Sequence, residues 1–244
     1  DRERRHALAR NHTGTHLLQA ALRKVLGNTV NQAGSLVLPD RLRFDFTWPE
    51  AISAKQLCEV ERLVNEEIVK GTPVEFCTMP IVEAKKLGAM ALFGEKYADV
   101  VRVVSVKDFS IELCGGSHVS NTGEIGSFRI VSESGIGSGI RRIEAITGLA
   151  AYDAMDKDRQ LINRAAYLLK GKPEEITERI EKLSLALKEA KQAMDKLKAK
   201  HAKDTIGDLL AKAEEKNGVA YLGAVVEAED MNELRKIADL VKDK

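Results

Sequence analysis

No stretch of this chain is apolar for long enough to cross a bilayer, and no basic-then-apolar leader opens it, so a membrane anchor is not expected. Neither sign of charge dominates: 38 Lys and Arg stand against 37 Asp and Glu, a formal net charge of +1. There is thus no global argument for a polyanionic partner, and any nucleic-acid surface must be local. Cysteine is scarce, and its three residues are an odd number. That excludes a disulfide framework and points to a reducing, cytoplasmic setting. Cys58 in a helical stretch and Cys77 in a strand read as inert packing residues. The glycines of Gly135–Gly139 precede no helix, which excludes a dinucleotide or phosphate-loop fingerprint. The chain opens on Asp1 rather than Met, which suggests an excised fragment. With 244 residues, 44% hydrophobic and 31% charged, one large domain or two modest ones are within reach.

What is present centres on His12-Thr13-Gly14-Thr15-His16. Residues four apart on a helix project from one face, so the two imidazoles stack one turn above the other. Leu8, Leu18, Leu22, Val25 and Leu26 form an apolar stripe beside them, so the pair borders a buried face. Alone, this is half of a zinc site. Far along the chain, Cys114-Gly115-Gly116-Ser117-His118 sets a thiol and a third imidazole across two glycines, which let the backbone turn both towards one point. Three histidines and a cysteine suit a tetrahedral Zn2+ shell. The alternative is a core thiol with histidines that each hydrogen-bond locally.

The periodicity predicts a helix from about Glu3 to Leu26, then strands over 35–38 and 42–48 joined by Pro39-Asp40. Ser53 caps a helix bearing Leu57, Val60, Val64 and Ile68, stopped by Gly71 and Pro73. A strand over 74–78, a helix over 81–87 and strands over 100–106, 110–113, 125–131 and 140–146 follow. Gly135–Gly139 reads as a flexible turn before the basic pair Arg141-Arg142. The expected fold class is α+β: an antiparallel sheet with packed helices and a zinc site over residues 1–148. Residues 149–217 read as an antiparallel helical hairpin or coiled coil. Its a/d seam is Ile176, Ile180, Leu183, Leu187, Ala190, Met194 and Leu197. A further helix is expected over 205–216, ended by Asn217-Gly218. Residues 218–244, a strand over 219–226 and a helix over 231–241, read as the truncated βα start of an α/β domain.

These residues meet a family. Arg10–Leu18, Gln32–Val37, Asp40–Phe46, Gly88–Tyr97, Cys114–His118 and Gly139–Ala145 resemble the editing region of alanyl-tRNA synthetases, continuing into the start of their C-terminal region. The motifs cover about residues 4 to 148. The paired HxxxH and CxxxH are shared with threonyl-tRNA synthetase editing domains and freestanding alanyl editing proteins. The Gly88–Tyr97 and Arg141–Glu144 stretches favour the alanyl type. Ser117 stands where family members often have Thr.

The resemblance implies hydrolysis of tRNA(Ala) mischarged with serine or glycine, with Zn2+ on His12, His16, Cys114 and His118. It matches Gln32 to a family glutamine of the editing pocket. Gln32 and Thr13 are therefore the expected catalytic-pocket residues, and Arg43, Arg141 and Arg142 the expected tRNA contacts. No general base is evident. No aminoacylation site is visible either, so ATP binding would belong to a full-length synthetase only. A weak homodimer through the C-terminal region is a further expectation. Alternatives are a freestanding trans-editing deacylase and a non-catalytic, zinc-stabilised tRNA-binding or dimerisation module.

Overall fold

The first helix is buried on every side along its middle, residues 13–22, and that decides how the rest is laid out. A computed structural model describes residues 1–90, 97–226 and 231–242. The Gly88–Tyr97 stretch lies mostly outside the described residues. The chain divides into two units, Asp1–Gln160 and Leu161–Lys244.

In the first unit α1 (Arg2–Leu26) is capped by Asp1, whose carboxylate accepts the Arg4 N–H. Around it stand two antiparallel sheets where a single one was expected. One joins β1 (Gln32–Val37), β2 (Leu42–Thr47), β7 (Ile140–Thr147) and β6 (Phe128–Gly137), in that order. The other joins β3 (Val74–Pro80), β4 (Val100–Val106) and β5 (Ser110–Leu113). Helices α2 (Ala54–Lys70) and α3 (Ile81–Lys86) complete the unit. Leu17, Leu18 and Leu22 of α1 are fully buried with Phe44, Phe46, Val60, Val64, Val104 and Ile143. Each such leucine contributes roughly 1.5–3 kcal/mol. The strand expected over 100–106 is β4, and it is buried on both faces. Val104 and Val106 join this core, while Val101 and Val103 join a second core with Ala84 and Leu113.

Burial of α1 extends to its polar residues, of which Asn11 is satisfied while the buried Nε of Arg10 has no hydrogen-bond partner among the described residues. Asn11 is 1% exposed; its Nδ2 donates to Leu38 O at 2.7 Å and its Oδ1 accepts from Thr147 Oγ1 at 2.7 Å. A Cβ on Gly14 would stand 3.2 Å from Thr147, so glycine lets the helix sit close on the sheet.

Several boundaries differ from the periodicity. Ile125 ends a 3-10 turn (Thr122–Ile125) instead of opening a strand, because Gly126 takes φ +82°. The Gly135–Gly139 cluster is strand and hairpin turn: β6 runs to Gly137, and Gly139 has the positive φ the turn needs. Cys58 and Cys77, expected inside, are exposed.

Helix α4 (Leu149–Leu168) begins in the first unit, where Ala151 is buried and Asp158 pairs with Arg129. In the second unit, α5 (Ile176–Leu210) is a single 35-residue helix. The burial expected for its seam in a helical hairpin is not found: Ile180, Leu183, Leu187, Met194 and Leu197 are all exposed. Only residues 161–168 of α4 lie in this unit, about two turns, too short to cover such a seam. Asn217-Gly218, expected to end a helix, turns a hairpin between β8 (Glu214–Lys216) and β9 (Val219–Tyr221). Both have positive φ, 56° and 77°, as a two-residue type I′ turn demands. Helix α6 (Met231–Lys242) follows, with Ile237 buried.

Candidate metal centre

His12 and His16 face the end of β5, where the chain leaves the sheet at Cys114. Two elements far apart in sequence thus bring together His12, His16, Cys114 and His118, whose ligand atoms all lie within 4.8 Å of one another. His12 Nε2 is 3.4 Å and His118 Nε2 3.3 Å from Cys114 Sγ. With zinc bonds of 2.0–2.3 Å, a tetrahedral shell has edges of roughly 3.3–3.7 Å. The donor set and these two separations fit a metal ion of that kind.

The turn between the two halves is shaped for this. The Gly116 N–H points at Cys114 Sγ, 3.4 Å away, a contact that favours thiolate. A Cβ on Gly116 would stand 2.0 Å from His12 Cε1, so only glycine admits the ring. Cys114 N–H donates to Arg102 O at 3.0 Å, extending the β4–β5 pairing by one bond. Arg102 Nη1 donates to the carbonyls of Gly116 at 2.6 Å and Cys114 at 3.3 Å.

Electrostatics favour the ligating forms. Burial lowers the pKa of His12, and the Arg102 guanidinium lowers it further. His16 is lowered well below its ordinary value, mainly by burial and then by His118 and His12. His118 is lowered to about 3 by burial, then by His12 and Arg102. Neutral imidazole is the form that binds metal. Glu112 is pushed up to about 7 by burial, against a 3.0 Å hydrogen bond from Ser110 Oγ that lowers it. Its Oε2 lies 3.4 Å from His16 Nε2, an ion-pair distance, yet burial drives both groups towards neutrality.

Three of the four candidate ligands, His12, His16 and Cys114, line a cavity of about 340 Å³, shared with Gln19, Gln32 and Glu112. Gln32 reaches it through a bulge. β1 pairs Gln32 with Phe46 and Gly34 with Asp45, leaving Ala33 unopposed. Paired residues share a face, so Gln32 joins the face of buried Phe46 instead of that of Asp45. There its Nε2 donates to Ser35 Oγ at 3.0 Å.

The other expected site residues lie elsewhere. Thr13 is 1% exposed and sits behind the ligands, its Oγ1 3.1 Å from His118 Nδ1 while accepting from Val119 N–H at 3.2 Å. Arg142 makes a two-pronged pair with Asp45, at 2.7 and 2.8 Å, and Arg43 Nε is 3.5 Å from the same carboxylate. Arg141 pairs with Glu133 on the opposite face of the sheet. The three arginines are absent from the cavity walls. Sequence reasoning missed Gln19, Glu112 and Arg102. A signal for Glu112 existed: Ser110, Glu112 and Cys114 alternate along one strand face.

Residues 101–144, which carry Cys114 and His118, match the family described as the threonyl and alanyl tRNA synthetase second additional domain. The alanine–tRNA ligase of Geobacillus kaustophilus is 51% identical over 244 residues, covering 100% of this chain and 28% of that protein. That of Bacillus subtilis is 50% identical over 240 residues, covering 98% of this chain and 27% of its own length. The chain therefore spans just over a quarter of the curated relatives it matches. Half-identity along the whole chain, with the second additional domain matched across the segment that carries Cys114 and His118, makes this chain a homologue of one region of the alanine–tRNA ligases.

Proposed function

We propose that this chain hydrolyses the ester joining serine or glycine to the 3′ end of tRNA(Ala), with Zn2+ held by His12, His16, Cys114 and His118. The observation that carries the reading is the convergence of those four ligand atoms within 4.8 Å, with His12, His16 and Cys114 in the wall of a cavity that Gln19, Gln32 and Glu112 also line. Zinc, when bound, supplies a positive centre that polarises groups set against it.

The chain's own residues do the rest. An aminoacyl ester is already reactive, so the site has only to orient it and a water. Water oxygen attacks the ester carbonyl carbon, the bond to the ribose oxygen breaks, and that oxygen leaves with a proton. Glu112, in the cavity wall beside His16, accepts a hydrogen bond from the attacking water. Gln32 offers its amide oxygen to the serine hydroxyl, its Nε2 being engaged with Ser35. A polar group placed to meet a hydroxyl separates serine from alanine better than an apolar pocket does. Thr13 positions His118, holding Nδ1 so that Nε2 turns towards Cys114.

The test is release of labelled serine from seryl-tRNA(Ala). Release should exceed that in buffer and that from alanyl-tRNA(Ala), and Cys114→Ala should abolish it. No release by protein carrying its metal would overturn the proposal.

A further inference from the structure

The Cys114–His118 turn has a weakness built into it. Gly116 is required because the His12 ring occupies the place of its Cβ, while Gly115 has open space around it. Two adjacent glycines leave the backbone between two candidate ligands with wide conformational freedom that ordering the turn must remove. The histidines on α1 are held by a buried helix. On this turn the His118 ring is held by Thr13 of α1, while Cys114 and the backbone between the two need a further restraint from outside it.

We propose that Arg102 is that restraint: a positioning residue that bridges the carbonyls of Cys114 and Gly116 and so presents Cys114 and His118 to the metal. The residue grips the turn at three points. Its backbone carbonyl accepts the Cys114 N–H at 3.0 Å. Its Nη1 donates to Gly116 O at 2.6 Å and to Cys114 O at 3.3 Å. The guanidinium is itself fixed, lying 4.6 Å over the centre of the Phe76 ring. A planar fork can stack on an aromatic ring and direct donors at two carbonyls together, whereas a lysine ammonium on a flexible stem lacks that preorganisation. Arg102 is absent from the cavity walls that His12, His16 and Cys114 share, which suits support of the turn over contact with substrate.

This assignment rests on the metal reading above, and its test uses Co2+ and Zn2+ alone with the full chain. Metal affinity is measured by competition with a chromophoric chelator, and ligand geometry by the visible spectrum of the Co2+ form. Arg102→Ala should bind roughly 10–100-fold more weakly, with an altered Co2+ spectrum. The urea midpoint of the metal-free protein should move little, and methylguanidinium added to the variant should restore part of the affinity. Arg102→Lys, which keeps charge and stem, guards against a folding failure and should also bind more weakly. Native affinity and spectrum in either variant would overturn the assignment, as would a loss no larger than the fall in metal-free stability. Wild-type protein with no affinity for either ion overturns the metal reading and this assignment together. Wild-type protein that binds Co2+ yet releases no serine overturns only the hydrolase reading.

Discussion

At the scale of single residues, the two glycines of the Cys114–His118 turn differ sharply in what they are for. A methyl group on Gly116 would overlap the His12 ring at 2.0 Å, whereas one on Gly115 would meet nothing within 4 Å. Gly116→Ala should therefore displace either a ligand ring or the turn. We expect at least about tenfold weaker Zn2+ binding, the scale of losing a supporting contact at a metal site. Gly115→Ala is the matched control and should bind as the parent does. Competition with a chelator reads both, and equal affinities in the two variants would mean that the site does not need this close approach. Stripping the metal should likewise stop deacylation reversibly, with Zn2+ restoring it.

At the scale of elements, the β1 bulge decides the direction of one side chain. A regular ladder would place Gln32 with Gly34, on the face of Arg43 and Asp45; Ala33, left unopposed, turns it inward. Deleting Ala33 should leave Gln32 opposite Phe46 in a regular ladder and still facing inward, whereas Gln32→Ala removes its amide altogether. Gln32→Ala should therefore lower the preference for seryl- over alanyl-tRNA(Ala) by roughly 3- to 10-fold, the worth of one hydrogen bond, and the deletion should keep it. Zinc content should be unchanged in both. The readout is the ratio of kcat/KM for the two substrates. An unchanged ratio in Gln32→Ala removes that residue from selectivity, and a ratio lost in the deletion as well would show that the pairing with Phe46 is not what aims it. The arginines expected to meet tRNA show the same dependence on register. Neighbours along β7, Arg141 and Arg142 point to opposite faces, each spending its charge on a carboxylate.

At the scale of the whole molecule, the first unit holds every proposed ligand and extends past the last strand into α4. Ala151 is fully buried and Asp158 pairs with Arg129, so the first turns of α4 belong with the sheet. A chain ending at Gln160 should therefore fold, hold one Zn2+ and keep some deacylation. Elemental analysis and serine release check this, and a folded 1–160 without zinc would show that the second unit completes the site. Affinity for tRNA should fall on the same truncation, read by titration. α5, with its exposed seam, offers length and surface but no ligand set among its described residues.

The sequence by itself determined what repeats locally. The i, i+4 spacing put His12 and His16 on one helix face, and strand alternation outlined most of the elements, because both periods are set by backbone geometry within a few residues. It also carried the likeness to alanine–tRNA ligases, through motifs that are short strings. Tertiary structure alone decided how those pieces meet. That the two half-sites converge depends on α1 lying between two sheets. That Gln32 enters the cavity depends on its pairing with Phe46, and a one-residue shift in register leaves no trace in composition or period. Glu112 and Arg102 became part of the site only when β4 and β5 were paired and turned towards α1. Asn217-Gly218 ends a helix or turns a hairpin equally well by residue type. Which of the two it does here was settled by the antiparallel pairing of the strands on either side.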